Sequence, residues 1–221
     1  MEQLDHIVHI IALSMGAAWA SGINLYAAIL TLGFLGATGQ MALPADLQIL
    51  STPIVMIAAA VMFCIEFFAD KVPGMDTGWD AIHSFIRIPG GALLAAGAVG
   101  DVHPAVMLAA GILGGGLAAG THAAKAGSRV LINTSPEPFT NWIASLGEDV
   151  TVIAGVWAAL VHPWLFLVCL SIFIVLLIWL LPKLWRGIKA VFAKLASLFK
   201  RTGARAAPAG AGDDPVAPDR P

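Results

Sequence analysis

The sequence predicts an all-α fold, a polytopic membrane bundle of about six transmembrane helices. It also carries signs of a duplicated two-helix hairpin and ends in a basic amphipathic helix suited to the membrane interface. Three observations lead there. The 221 residues are 58% apolar and 12% charged, where a soluble domain averages about 45–50% and about 25%. Mean hydropathy is +0.84, which excludes an ordinary soluble globule and a disordered chain. The apolar residues fall in continuous runs, not in the alternating segments of about ten residues that a barrel requires.

The clearest span is Pro163 to Leu181, which contains no charged residue. It is long enough to cross roughly 30 Å of hydrocarbon at about 1.5 Å per residue. Five more spans are expected, one within His6–Thr38, then Pro53–Ala69, Trp79–Gly100, Pro104–Ala123 and Trp142–Val161. Six spans place both termini on one side. The loops 39–52, 101–103 and 162 then hold Asp46, Asp101, His103 and His162 and no Lys or Arg. Lys71, Lys125, Arg129 and the basic tail share the opposite side. Lys and Arg concentrate in cytoplasmic loops, so a multi-pass membrane protein with both termini cytoplasmic is expected. The acidic start Met1-Glu2-Gln3-Leu4-Asp5 lacks the positive region of a secretory signal, so the first apolar segment is read as retained. Cys64 and Cys169 lie in apolar runs with no CxxC and no ligand set, and read as small packing or lipid-facing residues.

Charge divides the chain. Residues 1–182 hold 4 basic and 11 acidic groups, and residues 183–221 hold 8 and 3. The net charge of −2 excludes a generally basic nucleic-acid binder. Residues 1–182 form the expected transmembrane domain. In residues 183–201, Leu184, Ile188, Val191, Leu195 and Leu198 recur on one helical face and Lys183, Arg186, Lys189, Lys194 and Lys200 on the other. This predicts a helix in the headgroup plane, held by anionic lipid. Residues 202–221 lack periodicity and predict a disordered tail. The partners expected are the bilayer and anionic lipid at the basic helix, with a homo-oligomer left open; nucleic acid is not expected.

Two stretches resemble each other. Pro53-Ile-Val-Met-Ile-Ala-Ala matches Pro104-Ala-Val-Met-Leu-Ala-Ala. Pro73, Thr77 and Trp79 match Pro136, Thr140 and Trp142, and each unit closes on Val-His-Pro. The Pro-to-Trp spacing is 26 residues in the first (79 − 53) and 38 in the second (142 − 104), an excess of 12 that falls most easily within Gly120–Leu131. Two spans per unit make such copies parallel, and transporters place their sites at repeat interfaces.

Charge deep in a bilayer is costly and faces protein or water. Glu66, Arg87, Glu148 and Asp149 are placed there, and Arg87 is expected to pair with Glu148 or Asp149 across the two hairpins. Ser21-Gly22-Ile23-Asn24 interrupts a first segment too long for a simple span, with Tyr26 just after, and predicts a local break that exposes backbone groups to a site. Asp70, Asp76 and Asp80 are weak candidates for a metal. Residues 123–141 read as a polar cytoplasmic loop in which Lys125, Arg129, Asn133 and Glu137 are candidates to hold an anion or headgroup. No cofactor is expected.

Three blocks, Ser21–Ala28, Ala69–Arg87 and Lys125–Trp142, together resemble the hallmark segments of a bacterial multi-pass membrane family, the domain of unknown function 4126. The resemblance implies a polytopic membrane protein and carries over no activity and no site residues.

The leading functional expectation is a small transporter, permease or channel-like protein, not an enzyme. In it Asn24 and Tyr26 line a pathway with Glu66, while Arg87, Glu148 and Asp149 form a gate or proton-coupling set. Lys125 and Arg129 guard the cytoplasmic mouth. The alternatives are a structural or regulatory membrane protein, and an enzyme in which Asp70, Asp76 and Asp80 hold Mg²⁺ to act on a lipid phosphate.

Overall fold

The computed structural model describes residues 2–72, 74–134 and 138–205. Among them are six α-helices: α1 (Glu2–Ala37), α2 (Pro53–Ala69), α3 (Met75–Ala98), α4 (Pro104–Ile132), α5 (Pro138–Val161) and α6 (Pro163–Arg205). A 3₁₀ helix, Ala45–Ser51, precedes α2. No strand occurs among the described residues. Three of the six helices, α2, α4 and α6, open on Thr-Pro or His-Pro. Proline suits the first helical position because its missing N–H has no intrahelical partner there.

Five helices, α1, α3, α4, α5 and α6, are long and apolar enough to cross a membrane, and α2 with its 3₁₀ helix makes a sixth unit bent by 65°. Their outer faces remain apolar: Ile54 is 78% exposed, Phe85 84%, Leu93 73% and Ile143 75%. So much large apolar side chain facing outward on several helices belongs in lipid, not water. Both cysteines are free and on this outer surface.

The path of α1 departs from expectation. Asn24 has φ −147° and ψ 100°, an extended residue inside a helix. The arm 2–23 runs antiparallel to α3, with Ser14 Oγ donating to the Ala95 carbonyl and Ser21 Oγ to the Arg87 carbonyl, each at 2.8 Å. After Asn24 the chain turns back. His6 and Leu13 of the first arm and Leu35 and Met41 beyond the turn line one cavity, together with Ala98 and Trp157. A straight helix would separate Leu13 and Leu35 by roughly 33 Å. α1 is therefore a re-entrant hairpin, and only α2 to α6 run from end to end of the bundle.

This departs from the expectation of both termini at one end. Trp164, at the start of α6, donates to Asp5 near the start of α1 at 3.5 Å. α6 then runs to the opposite end, where Leu184 is buried and faces Gly127 of α4. The N-terminal end of α1 and the C-terminal end of α6 lie at opposite ends of the molecule. The physical reason is Asn24, which turns one long apolar segment into two half-depth arms.

The basic segment is no separate element. α6 continues through Pro182 to Arg205, so the expected boundary after residue 182 falls inside a helix. Residues 206–221 of the expected tail lie outside the described residues. The two halves of the suspected repeat have matching helices: α3 and α5 are each 24 residues, whereas α4 has 29 and α2 has 17. The difference of 12 equals the excess in the repeat spacing (38 − 26), and it lengthens α4 through what the sequence suggested was a loop.

Candidate functional site

The turn of α1 ends in a polar layer inside the bundle. Breaking a helix leaves carbonyls without partners on one side and N–H groups on the other. Here the chain itself supplies both. Lys125 Nζ donates to the Ile23 carbonyl at 3.1 Å. Asn24 Oδ1 accepts the Ala27 N–H at 2.9 Å, so Asn24 caps the second arm. Its amide also donates to Asp149 Oδ1 at 3.0 Å. A cation thus meets the C-terminal end of one half-helix and an anion the N-terminal end of the other, the favourable sense for both dipoles.

Around that turn α2, α3, α4 and α5 supply charge. Arg87 lies fully buried in the middle of α3, 2.5 Å from Glu66 Oε1 and 2.7 Å from Asp80 Oδ1. Lys125 lies 3.0 Å from Asp70, 3.2 Å from Glu66 and 3.4 Å from Glu148. Arg129 lies 2.7 Å from Glu148 and also donates to the Asn141 carbonyl at 3.1 Å. His122 Nδ1 is 3.1 Å from Arg87 Nη1 and its Nε2 is 2.7 Å from Ser84 Oγ. A guanidinium only donates, so Nδ1 accepts and the proton of a neutral His122 is on Nε2. Removing one member of a buried ion pair costs about 3–5 kcal/mol because the other charge is left without compensation, so the layer ties four helices and the hairpin together.

A second node lies nearer the start of α3. Asp76 Oδ1 and Oδ2 accept from Asn133 Nδ2 at 2.8 and 3.0 Å, and Asn141 donates to Asn133 Oδ1 at 2.8 Å. The loop after α2 carries Lys71, whose Nζ donates to the Phe67 carbonyl at 2.9 Å and lies over the Phe67 ring. Burial pushes its ammonium below the usual lysine range, against the opposing pull of Asp149 and Asp70.

Of the candidate residues, Asn24, Glu66, Asp70, Asp80, Arg87, Lys125, Arg129, Glu148 and Asp149 meet in this one layer. Tyr26 lies beside it, edge-on to His83 at 5.9 Å between ring centroids. Glu137 lies outside the described residues. Three expectations are corrected. Arg87 pairs with Glu66 and Asp80, not with Glu148 or Asp149, because the α1 hairpin packs against both α3 and α5 and keeps them apart. Lys125 and Arg129 belong to α4, not to a polar loop, and are buried against carboxylates of the chain; their charge is not free to hold an anion or headgroup. Asp70, Asp76 and Asp80 face Lys125, Asn133 and Arg87 respectively. Among the described residues no three His, Cys, Asp or Glu side chains gather to hold a metal ion.

His122 and Asn141 join the site although neither is among the candidate residues that the sequence marks. His122 stands three positions before Lys125 and seven before Arg129, the spacing of one helical face. That face shows only once α4 is continued past Ala123, where the expected span ends, to Ile132.

The family described as Domain of unknown function (DUF4126) has a model that matches residues 11–183. The chain belongs to this family. The DUF4126 match takes in every residue of the polar layer and the whole hairpin from Ile11 onward, and it stops where the basic segment begins. No curated protein and no solved structure matches the chain.

Proposed function

We propose that the protein is a small transporter or permease, or a channel-like protein, whose working centre is the polar layer at the tip of the α1 hairpin. One observation carries the reading: the break at Asn24 aims the ends of two half-helices at Lys125 and Asp149 inside the bundle. Membrane transporters bind their ions and substrates with discontinuous helices of this kind. Irregular backbone at depth is tolerated only where protein or a cavity receives it.

The cavity between the two arms supports the same reading. It has a volume of about 420 Å³ and lies at the end of the bundle that holds the start of α1. Between it and Asn24 the buried Ala17, Ala20, Ala28 and Leu32 close the way. Access from that end requires the arms to separate, and their small residues allow close but reversible packing.

The charge pattern supports one orientation. Glu2, Asp5, Asp46 and Asp101 belong to the cavity end, where no Lys or Arg lies among the described residues. Lys71 and the run from Lys183 onward belong to the other. By the positive-inside rule the C-terminal end is cytoplasmic and the start of α1 is external, in a bacterial inner membrane.

A structural or regulatory role is the second reading, favoured by the mutual pairing of Glu66, Asp70, Asp80 and Glu148 with Arg87, Lys125 and Arg129. Electrical recording separates the two. The full chain is reconstituted in liposomes on a solid-supported membrane and challenged with jumps of protons, sodium, potassium and pools of small organic ions. A current or uptake that is lost in Asn24→Leu, with the variant still monodisperse, supports transport. Silence of the folded wild type across the whole panel sinks it and leaves the structural role.

A further inference from the structure

Asp149 differs from the other carboxylates of the layer. Glu66, Asp70, Asp80 and Glu148 each lie within 4.0 Å of a Lys or Arg nitrogen. Asp149 has no such partner among the described residues. It is 6% exposed, its Oδ1 accepts one bond from the neutral Asn24 amide, and its Oδ2 is buried without a hydrogen-bond partner. An ionised carboxylate in that position loses its hydration for a single neutral hydrogen bond, whereas a neutral acid loses far less.

The charge of the layer points the same way. The charged groups of the layer are Glu66 and Asp70 on α2, Asp80 and Arg87 on α3 beyond the hairpin, Lys125 and Arg129 on α4, and Glu148 beside Asp149 on α5. His122 on α4 and Lys71 after α2 lie nearby, and α1 contributes only the uncharged Asn24 and Tyr26. Five carboxylates therefore surround three strong cations in the core of the layer. Lys71 and Asp76 at its edge cancel each other in the sum. Two negative charges are left over in a place where net charge is expensive. Among the described residues no three carboxylates or imidazoles gather to hold a divalent ion.

We infer that Asp149 is a proton-binding site, and that the tip of the α1 hairpin senses whether the proton is there. Uptake forms one O–H bond at Oδ2 and turns a hydronium ion into water; release reverses both. The ionised form holds the Asn24 amide through a charge-assisted bond, and the neutral form holds it less strongly. Protonation thus loosens the contact that pins the hairpin tip to α5. The use of this proton as a coupling ion rests on the transport reading above; the proton site itself does not.

The test is infrared difference spectroscopy on the purified full chain in lipid nanodiscs, with the pH stepped from alkaline to mildly acidic. The expected result is the carbonyl stretch of a buried protonated carboxyl group that grows as pH falls. It is lost in Asp149→Asn and moved in Asp149→Glu, which keeps the acid should the Asn variant fail to fold. Absence of the band in folded wild type, or its persistence unchanged in Asp149→Asn, overturns the proposal. So does suppression of the band by sodium at fixed pH, which would make the site one for a metal cation. A band of the expected behaviour in a protein that moves nothing across liposomes keeps the proton site and removes transport. Flux that is indifferent to pH, with no band, does the reverse.

Discussion

Asn24 and Asp149 stand 125 positions apart in the chain and share a hydrogen bond of 3.0 Å at the one place where α1 stops being a helix. The same amide side chain caps the returning arm through Ala27. One residue therefore sets both the turn and its attachment to α5. Asn24→Ala is expected to lower stability by about 2–4 kcal/mol, the sum of a lost cap and of a buried carboxylate left without its donor. Thermal unfolding in detergent, followed by tryptophan fluorescence, measures it. A change indistinguishable from zero would mean that the turn does not depend on Asn24.

The two ends of the chain are expected on opposite sides of the membrane. Single cysteines placed at Glu2 and at Lys189, in a Cys64→Ala, Cys169→Ala background, report this with a membrane-impermeant maleimide. In intact cells the residue 2 site should label and the residue 189 site should not, until the membrane is opened. Equal protection of both sites would return α1 to a crossing helix and remove the hairpin.

Much of this architecture is legible in the sequence, for identifiable reasons. Continuous apolar runs and Thr-Pro or His-Pro starts mark the helices, and Pro53–Ala69 is read to the residue. The break at Ser21–Asn24 is visible because Gly and Asn interrupt an apolar segment too long for one span. What the sequence does not carry is the sense of the break. A kink and a reversal have the same local composition, and only the contacts of Ser14, Ser21 and Leu35 with the rest of the fold decide between them. The expectation of both termini at one end of the bundle misses for that reason: one extra reversal carries the N-terminal end to the other end of the bundle. The charged residues of the layer were likewise visible as misfits in apolar runs, but not their partners. Depth along a helix put Arg87 level with Asp149, and depth says nothing about the hairpin that lies between them.

Lys71 gives the alkaline limb of stability a defined sign. Burial lowers its folded pKa below the unfolded value of 10.5. Between those two values the unfolded chain binds the extra proton, so stability rises with pH. Below both, the penalty for the buried ammonium is fully present. Lys71→Met is expected to flatten the alkaline rise, read as the pH dependence of the melting temperature. An unchanged slope would show that the ammonium is hydrated in the folded state.

The pairing of Arg87 can be decided by two double-mutant cycles. Arg87 bonds Glu66 of α2 directly, whereas Asp149 of α5 reaches the layer through Asn24 and has no bond to Arg87. Arg87→Met and Glu66→Gln should each be severe alone, about 3–5 kcal/mol, since either leaves an uncompensated buried charge. Together they should cost less than their sum, with a coupling of about 1–3 kcal/mol. Arg87→Met with Asp149→Asn should come within about 0.5 kcal/mol of additive, as for sites without a shared bond. Residual coupling has a known route, because Lys125 lies near Glu66, the acid of the first pair, and holds the carbonyl next to Asn24. A larger coupling to Asp149 than to Glu66, measured by chemical denaturation in detergent, would place Arg87 across the hairpin after all.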